Sequence, residues 1–272
     1  MKKKINNLIT LFLVLAMLAG LSLLLYPSFS DWWNSYHQTK AIASYAADVA
    51  NLSQEDYERI WNAAKEYNAS LSERNSDYTL TDRQKQQYEE LLDVSGTGVM
   101  GYIEIPSINC SLPIYHGTQE SVLQIAVGHI EWSSLPVGGA STHCVVSGHR
   151  GLPSAKLFTN LDQLTEGDIF MLRVLDEVLT YEVDQILIVE PQETESLRIE
   201  EGKDYCTLVT CTPYGINTHR LLVRGHRIEN LDESIRVTAD AIQIDPLLVA
   251  PIIAIPMILI LVFVFIKPRR SR

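Results

Sequence analysis

The sequence predicts a mainly β domain, a barrel or a sandwich, preceded by a helical stalk and bounded by an apolar span at each end. Three observations carry this. From about Gly96 the text becomes short β-branched runs separated by Gly, Pro and Asn, whereas between Asp31 and Asp93 it has helical spacing. The runs Ile5–Tyr26 and Leu247–Ile266 are each close to the ~20 apolar residues that cross a bilayer. The expected divisions are an anchor over 1–30, a stalk over 31–95, a β-domain over 96–230, a linker over 231–246, and a second span with a basic tail over 247–272. With 272 residues, 46% of them hydrophobic, the chain can bury the core of one medium domain and is not a disordered polymer.

The first span, "INNLITLFLVLAMLAGLSLLLY", is longer than a usual leader's apolar region, and no clean small-x-small cleavage site follows it. A retained anchor is therefore expected. The second, "LLVAPIIAIPMILILVFVFI", holds Pro251 and Pro256, which a membrane helix tolerates. Lys2, Lys3 and Lys4 precede the first span and "KPRRSR" follows the second. The positive-inside rule then places both termini in the cytoplasm and residues 27–246 outside, a two-pass protein of the cell membrane. Residues 1–30 and 246–272 hold none of the 33 acidic side chains, so the intervening region is more acidic than the net charge of −11 indicates. It lacks the clustered Lys and Arg that phosphate binding needs, which argues against nucleic acid as a partner.

In the stalk, "TKAIASYAADVANL", "SQEDYERIWNAAKEYNASL" and "LTDRQKQQYEELLDV" read as helices, with Ser53 and Thr81 as N-caps that have Asp56 and Gln84 three residues on. In the β-domain, "GYIEIPSI", "SLPIYHG", "THCVVSGH", "DIFMLRV", "LTYEVDQILIVEP", "YCTLVTC" and "HRLLVRGHRI" read as strands of about 4–8 residues. One helical interruption is expected near "SAKLFTNLDQL".

Four cysteines are present. Cys206 and Cys211 cannot bridge each other: five residues of strand span ~16 Å, against at most ~7 Å between bridged Cα atoms, and the two point to opposite faces. Cys110, Cys144 and Cys206 sit in apolar, strand-like context, where a thiol is packing material. Cys211 differs. It closes "TLVTC" and is followed by "TPYGINT", whose Pro213, Gly215 and Asn217 form turns before the chain re-enters a strand at "HRLLVRG". Strands joined this way lie ~5 Å apart, so Arg220 can sit beside Cys211. A thiol also needs a base. His149 ends an apolar run with Gly148 and Gly151 around it, a placement suited to an open rim; His219 and His226 flank the arginine strand as rivals. His143 and His149 lie too far apart in a strand to share a metal, and no CxxC or HExxH pattern occurs, so neither zinc nor another cofactor is expected. The acidic loop "EPQETES" reads as a solvated segment rather than a calcium site.

Over about residues 88–228, "GTGVMGYIEIPSINCSLPIYHGT", "VGHIEWSSLPVGG", "SGHRGLPSAKLFTNLDQLTEGD" and "TLVTCTPYGINTHRLLVRGHR" resemble the sortases, cysteine transpeptidases of Gram-positive cell surfaces. The wider text looks like class C, the pilin-polymerising branch, and the paired spans also suit that class. The resemblance implies an eight-stranded barrel with an active site at His149, Cys211 and Arg220. It implies that Cys211 attacks the threonine carbonyl of an LPXTG-like sorting signal to give a thioester, that His149 moves the protons, and that Arg220 supplies fixed donors. Three acceptors stay open for the thioester: a pilin lysine, a lipid-linked peptidoglycan precursor, or water. A catalytically silent, membrane-tethered binding domain is the remaining alternative.

Class C sortases often carry a lid, an Asp-Pro-aromatic motif whose Asp meets the site arginine while the ring covers the cysteine. No such tripeptide occurs between Asp31 and Gly96. The nearest candidate is "SDYTL", with Asp77 toward Arg220 and Tyr78 over Cys211; the alternative is an ordinary helix connection in which Asp77 helps cap the next helix. Without the proline the segment is less restricted, which predicts an open site.

Overall fold

The computed structural model describes residues 2–72 and 80–230. The chain divides into two units, and the one that begins at Trp33 holds every described strand. The second expected span, Leu247–Ile266, and the candidate lid residues Asp77 and Tyr78 lie outside the described residues.

Helix α1 (Lys2–Ala50) contains the one described stretch long and apolar enough to cross a membrane, with a mean hydropathy of 2.7 and none of it buried. Leu8, Phe12 and Leu23 stand exposed along it, as suits a helix whose solvent is lipid. The span and the first stalk segment form a single helix. No Gly or Pro occurs between Ser28 and Ala50 to end it.

Beyond Trp33 the helices are part of the barrel's packing. Tyr45 of α1 is buried, donates its hydroxyl hydrogen to the Met100 carbonyl at 3.1 Å and accepts from the Leu175 N–H at 2.8 Å. Helix α2 (Gln54–Ser72) begins where Ser53 Oγ accepts from the Asp56 N–H. It buries Ala64, Tyr67 and Leu71, and Asn68 pairs with both backbone groups of Leu135, donating at 3.0 Å and accepting at 2.7 Å. Helix α3 (Asp82–Glu90) opens with a capping box between Thr81 and Gln84, the N-cap read from the sequence. Its Tyr88 is buried against His129, whose ring it stacks on at 5.6 Å between centroids.

The strands are β1 (Val99–Ile105), β2 (Cys110–His116), β3 (Val127–His129), β4 (Thr142–Ser147), β5 (Ile169–Val174), β6 (Glu177–Val189), β7 (Asp204–Thr212) and β8 (His219–Arg227). They close into a barrel in the order β1-β2-β3-β4-β7-β8-β6-β5. The fold is thus the eight-stranded barrel rather than a sandwich. Closure leaves no open sheet edge. Seven strands are legible as sequence runs; the eighth, β3, has three residues and no periodicity to read. The helix expected near "SAKLFTNLDQL" is a single 3-10 turn, Leu161–Gln163, and the preceding Phe158 fills the interior. Strand β6 runs 13 residues because a bulge between Val183 and Gln185 lets one strand bend around the barrel.

Apolar side chains pack on both sides of the sheet here. Ile103, Ile114, Phe170, Leu208 and Val223 belong to the interior cluster, while Val145, Leu197, Val209 and Leu222 form a second one on the outer face of β4, β7 and β8. The join between helices and barrel is testable at Tyr88, whose hydroxyl accepts from the buried Gly117 N–H at 3.0 Å and contacts His129. Tyr88→Phe should destabilise the protein by about 1–3 kcal/mol, because it leaves that N–H unpaired. Thermal melting of the full chain in detergent would show a lowered midpoint, and an unchanged one would refute the assignment.

Candidate active site

Strand register brings the three sequence-predicted residues to one level. Strands β4 and β7 run parallel, with Ser147 opposite Val209, and the Gly148 N–H continues the ladder to the Val209 carbonyl at 3.0 Å. Two residues further along stand His149, just past the end of β4, and Cys211 on β7. Strands β7 and β8 are antiparallel, and Cys211 lies directly opposite Arg220. Side-chain alternation also fixes the face. Cys206 and Leu208 point into the barrel; Val209, and with it Cys211, points outward. Leu222 shares the outer cluster, so Arg220, two residues before it, faces the same way. Val145 gives the same answer for β4, whose alternation reaches His149.

Local sequence explains each placement. A Cβ at Gly148 would lie 2.7 Å from the Phe158 ring, so only glycine lets the chain pass that interior ring and put His149 at the rim. His149 is half-buried, and its Nε2 lies 3.7 Å from a carboxylate oxygen of Glu120 on the short helix α4 (Glu120–Leu123). After Cys211 the chain turns through Pro213–Asn217, with the Ile216 and Asn217 N–H groups donating to the Pro213 carbonyl. Gly215 and Asn217 take the left-handed backbone that this turn requires. Arg220 Nη1 donates to the carbonyls of Asn217 and His219 at 3.4 and 3.1 Å, leaving Nε and Nη2 without a partner among the described residues. Of the rival histidines, His219 hydrogen-bonds Thr218 and His226 lies near Asp184, while His143 is buried between the Arg198 carbonyl and the Thr207 hydroxyl. Burial lowers the pKa of His143.

The sortase domain family model matches residues 103–228. The crystal structure of sortase C1 from Streptococcus agalactiae is 52% identical, superposes with a TM-score of 0.69, and the match covers 71% of this chain and all of that one. The chain belongs to the sortase family. Sortase C of Clostridium perfringens, determined with the C-terminal cell wall sorting motif, is similar at 44% identity and a TM-score of 0.63, covering 71% of this chain and 100% of the other. Sortase D of Bacillus subtilis strain 168 is 32% identical over 131 residues, which is 47% of this chain and 63% of that protein's length. The class C resemblance read from the sequence thus agrees with its solved neighbours.

The structure of this sortase adds residues that spacing did not single out. Arg150 is nearly buried and ties three segments together. Its Nη2 pairs with Asp162 at 2.5 Å, its Nη1 donates to the Thr212 hydroxyl at 3.3 Å, and its guanidinium lies over the Tyr214 ring. It follows His149 and reaches the residue after Cys211, so it clamps the two strand ends on which His149 and Cys211 stand. Gly151 completes the contact: a Cβ there would lie 2.9 Å from the Tyr214 ring. Glu120 is the nearest carboxylate to His149, although its side chain is largely exposed. "SGHRG" held the Arg150 signal only as an arginine beside a histidine; its partners lie on other segments.

Arg150→Ala should therefore loosen the turn after β7. Amide hydrogen exchange over 212–218 is expected to rise about tenfold or more, the loss of one charge-assisted hydrogen bond, with β1 and β5 unchanged. Arg150→Lys should restore only part of the protection, lacking the planar fork. Equal exchange in all three proteins would refute the clamp.

Proposed function

We propose that this sortase is a membrane-anchored transpeptidase in which Cys211 is the nucleophile, His149 the proton carrier and Arg220 the anion-stabilising donor. What supports this reading is their alignment at the ends of three neighbouring strands on the outer face of the barrel. A peptide can reach that face, whereas the interior is filled.

The substrate is a protein carrying an LPXTG-like sorting signal, as the family resemblance and the sorting-motif complex of the Clostridium perfringens relative support. The Cys211 sulfur, its proton passing to His149, bonds to the threonine carbonyl carbon. The resulting oxyanion is held by Arg220 through Nε and Nη2, whose charge is permanent and whose geometry is rigid. The C–N bond to glycine then breaks as His149 protonates the departing amine. In the second half a lysine ε-amine of a pilin subunit attacks the thioester, His149 takes the amine proton, and the thiol is regenerated as an isopeptide bond forms. The class C likeness favours this acceptor; transfer to lipid-linked peptidoglycan precursor, or to water, is the competing outcome that the products distinguish.

Mass spectrometry of the full chain in detergent with a sorting-signal peptide and candidate pilins should show a Cys211 thioester and an isopeptide-linked product. Cys211→Ala should abolish both, His149→Ala should nearly do so, and Arg220→Lys should lower the rate by on the order of a hundredfold, as for loss of an oxyanion donor. Substantial turnover in Cys211→Ala would sink the mechanism, and cleavage without joining would replace pilin polymerisation by hydrolysis. The same assay reports on the segment before α3: Cys211 alkylation unaltered by Asp77→Ala, Tyr78→Ala fits the open site that the missing Asp-Pro-aromatic motif suggests.

For topology we propose two spans, with the barrel outside and both termini in the cytoplasm, from the basic residues flanking each apolar run. Protease added to intact protoplasts should digest residues 27–246 and spare tags at both ends. Digestion of either tag would reverse that assignment.

A further inference from the structure

Further back along the same two strands, on the opposite face from the site, lies a pair of thiols. Cys144 of β4 and Cys206 of β7 are register partners across the parallel ladder. Both are free and both are buried in the interior cluster. Each stands five residues before the position proposed to act in the reaction, Cys144 before His149 and Cys206 before Cys211.

The geometry suits a covalent bond between them. Adjacent strands lie ~4.8 Å apart, within the ~4.4–6.8 Å between Cα atoms that a disulfide spans. Register partners also project their Cβ atoms to the same side of the sheet. The other two cysteines lack such a neighbour. Cys110 is on β2, which does not adjoin β7, and its ladder partner is Ile105; Cys211 faces Arg220.

The surroundings set the two thiols apart. Burial opposes ionisation of Cys144, but the neighbouring Cys206 and His129 side chains outweigh it and leave its pKa below the ordinary thiol value. Burial, and then the neighbouring Cys144, raise that of Cys206. His129 is itself fixed, with Tyr88 at Nδ1 and the Ser134 carbonyl at Nε2. Among the described residues no three His, Cys, Asp or Glu side chains are grouped to hold a metal ion.

We propose that Cys144 and Cys206 are a redox pair that closes to an intramolecular disulfide, a staple between β4 and β7 that leaves Cys211 as a single thiol. The oxidant is a disulfide, small or carried by an oxidoreductase. The Cys144 thiolate attacks one of its sulfurs, forming a mixed disulfide and expelling the other sulfur as a thiolate. Cys206 then loses its proton and attacks the Cys144 sulfur, so the protein disulfide forms and the oxidant leaves with two electrons as a dithiol. Because both cysteines are buried, exchange takes place before the barrel closes or during local opening. Only the source of the oxidant depends on the proposed topology; closure of the pair in the purified chain does not, nor does it require transpeptidase activity.

The test is refolding of the full chain in detergent with oxidised glutathione or with a reductant, followed by alkylation and peptide mass mapping. The expected result is a cross-linked peptide pair containing Cys144 and Cys206, two hydrogens lighter than the sum of its parts. Oxidation should raise the melting midpoint by about 5–10 °C. Cys144→Ala and Cys206→Ala should each abolish that shift, while Cys110→Ala and Cys211→Ala keep it, so a variant that merely packs poorly is told apart by its insensitivity to oxidant. Recovery of Cys144 and Cys206 as separate alkylated or glutathione-capped peptides after oxidative refolding would overturn the proposal, as would a bond from either to Cys110 or Cys211.

Discussion

Backbone pairing among β4, β7 and β8 is the constraint on which the rest of this sortase depends. A slip of one residue between two strands would turn Cys211 into the barrel and bring Cys206 out, because side chains alternate with period two. Hydrophobic patterning alone resists such a slip poorly here, since β7 is buried almost continuously on both faces. Polar contacts supply the missing specificity. Thr210 donates to the Gly148 carbonyl at 2.7 Å, His143 meets Thr207 at 2.7 Å, and Asp204 accepts from the Gly139 N–H and the Tyr181 hydroxyl at 2.8 and 3.0 Å. A shift of register would leave the buried Thr210, His143 and Tyr181 groups unpaired, and such groups are costly.

The helices before the barrel serve the same end. Tyr45, Asn68 and Tyr88 each use side-chain polar atoms on backbone groups of the barrel or its loops, and the two tyrosine rings enter its core cluster. Asn34 donates to the Ser154 carbonyl at 2.8 Å, in the loop that follows His149 and Arg150. A segment that composition alone marks as a stalk is therefore a brace. Its contacts reach loops that short strands could not hold by themselves.

Two kinds of cysteine coexist on one strand for a related reason. The outer face of β7 ends at a turn, where Cys211 is half-buried. The inner face lies among Tyr181, Phe170 and Leu208, where a thiol meets only neighbours fixed by the ladder. Reactivity at the first position is set by what approaches from outside, and at the second by the residue opposite. Both settings follow from the parity of the residue number along the strand.

Sequence by itself determined the setting of Cys211. A strand ending at Cys211, a turn of Pro213, Gly215 and Asn217, and a strand opening at Arg220 are local features, and local stereochemistry suffices to place the last beside the first. The same holds for the caps at Ser53 and Thr81 and for the apolar run of α1, since each depends on neighbours within a few residues. Only the tertiary structure decided that β4 lies beside β7, which sets His149 level with Cys211 and Cys144 against Cys206. It alone revealed the clamp at Arg150, whose partners Asp162, Thr212 and Tyr214 come from other segments, and the strand β3, whose three residues pair only because β2 and β4 flank them. Parallel pairing joins strands distant in the chain, and no periodicity in a single sequence records which distant strand will be the neighbour.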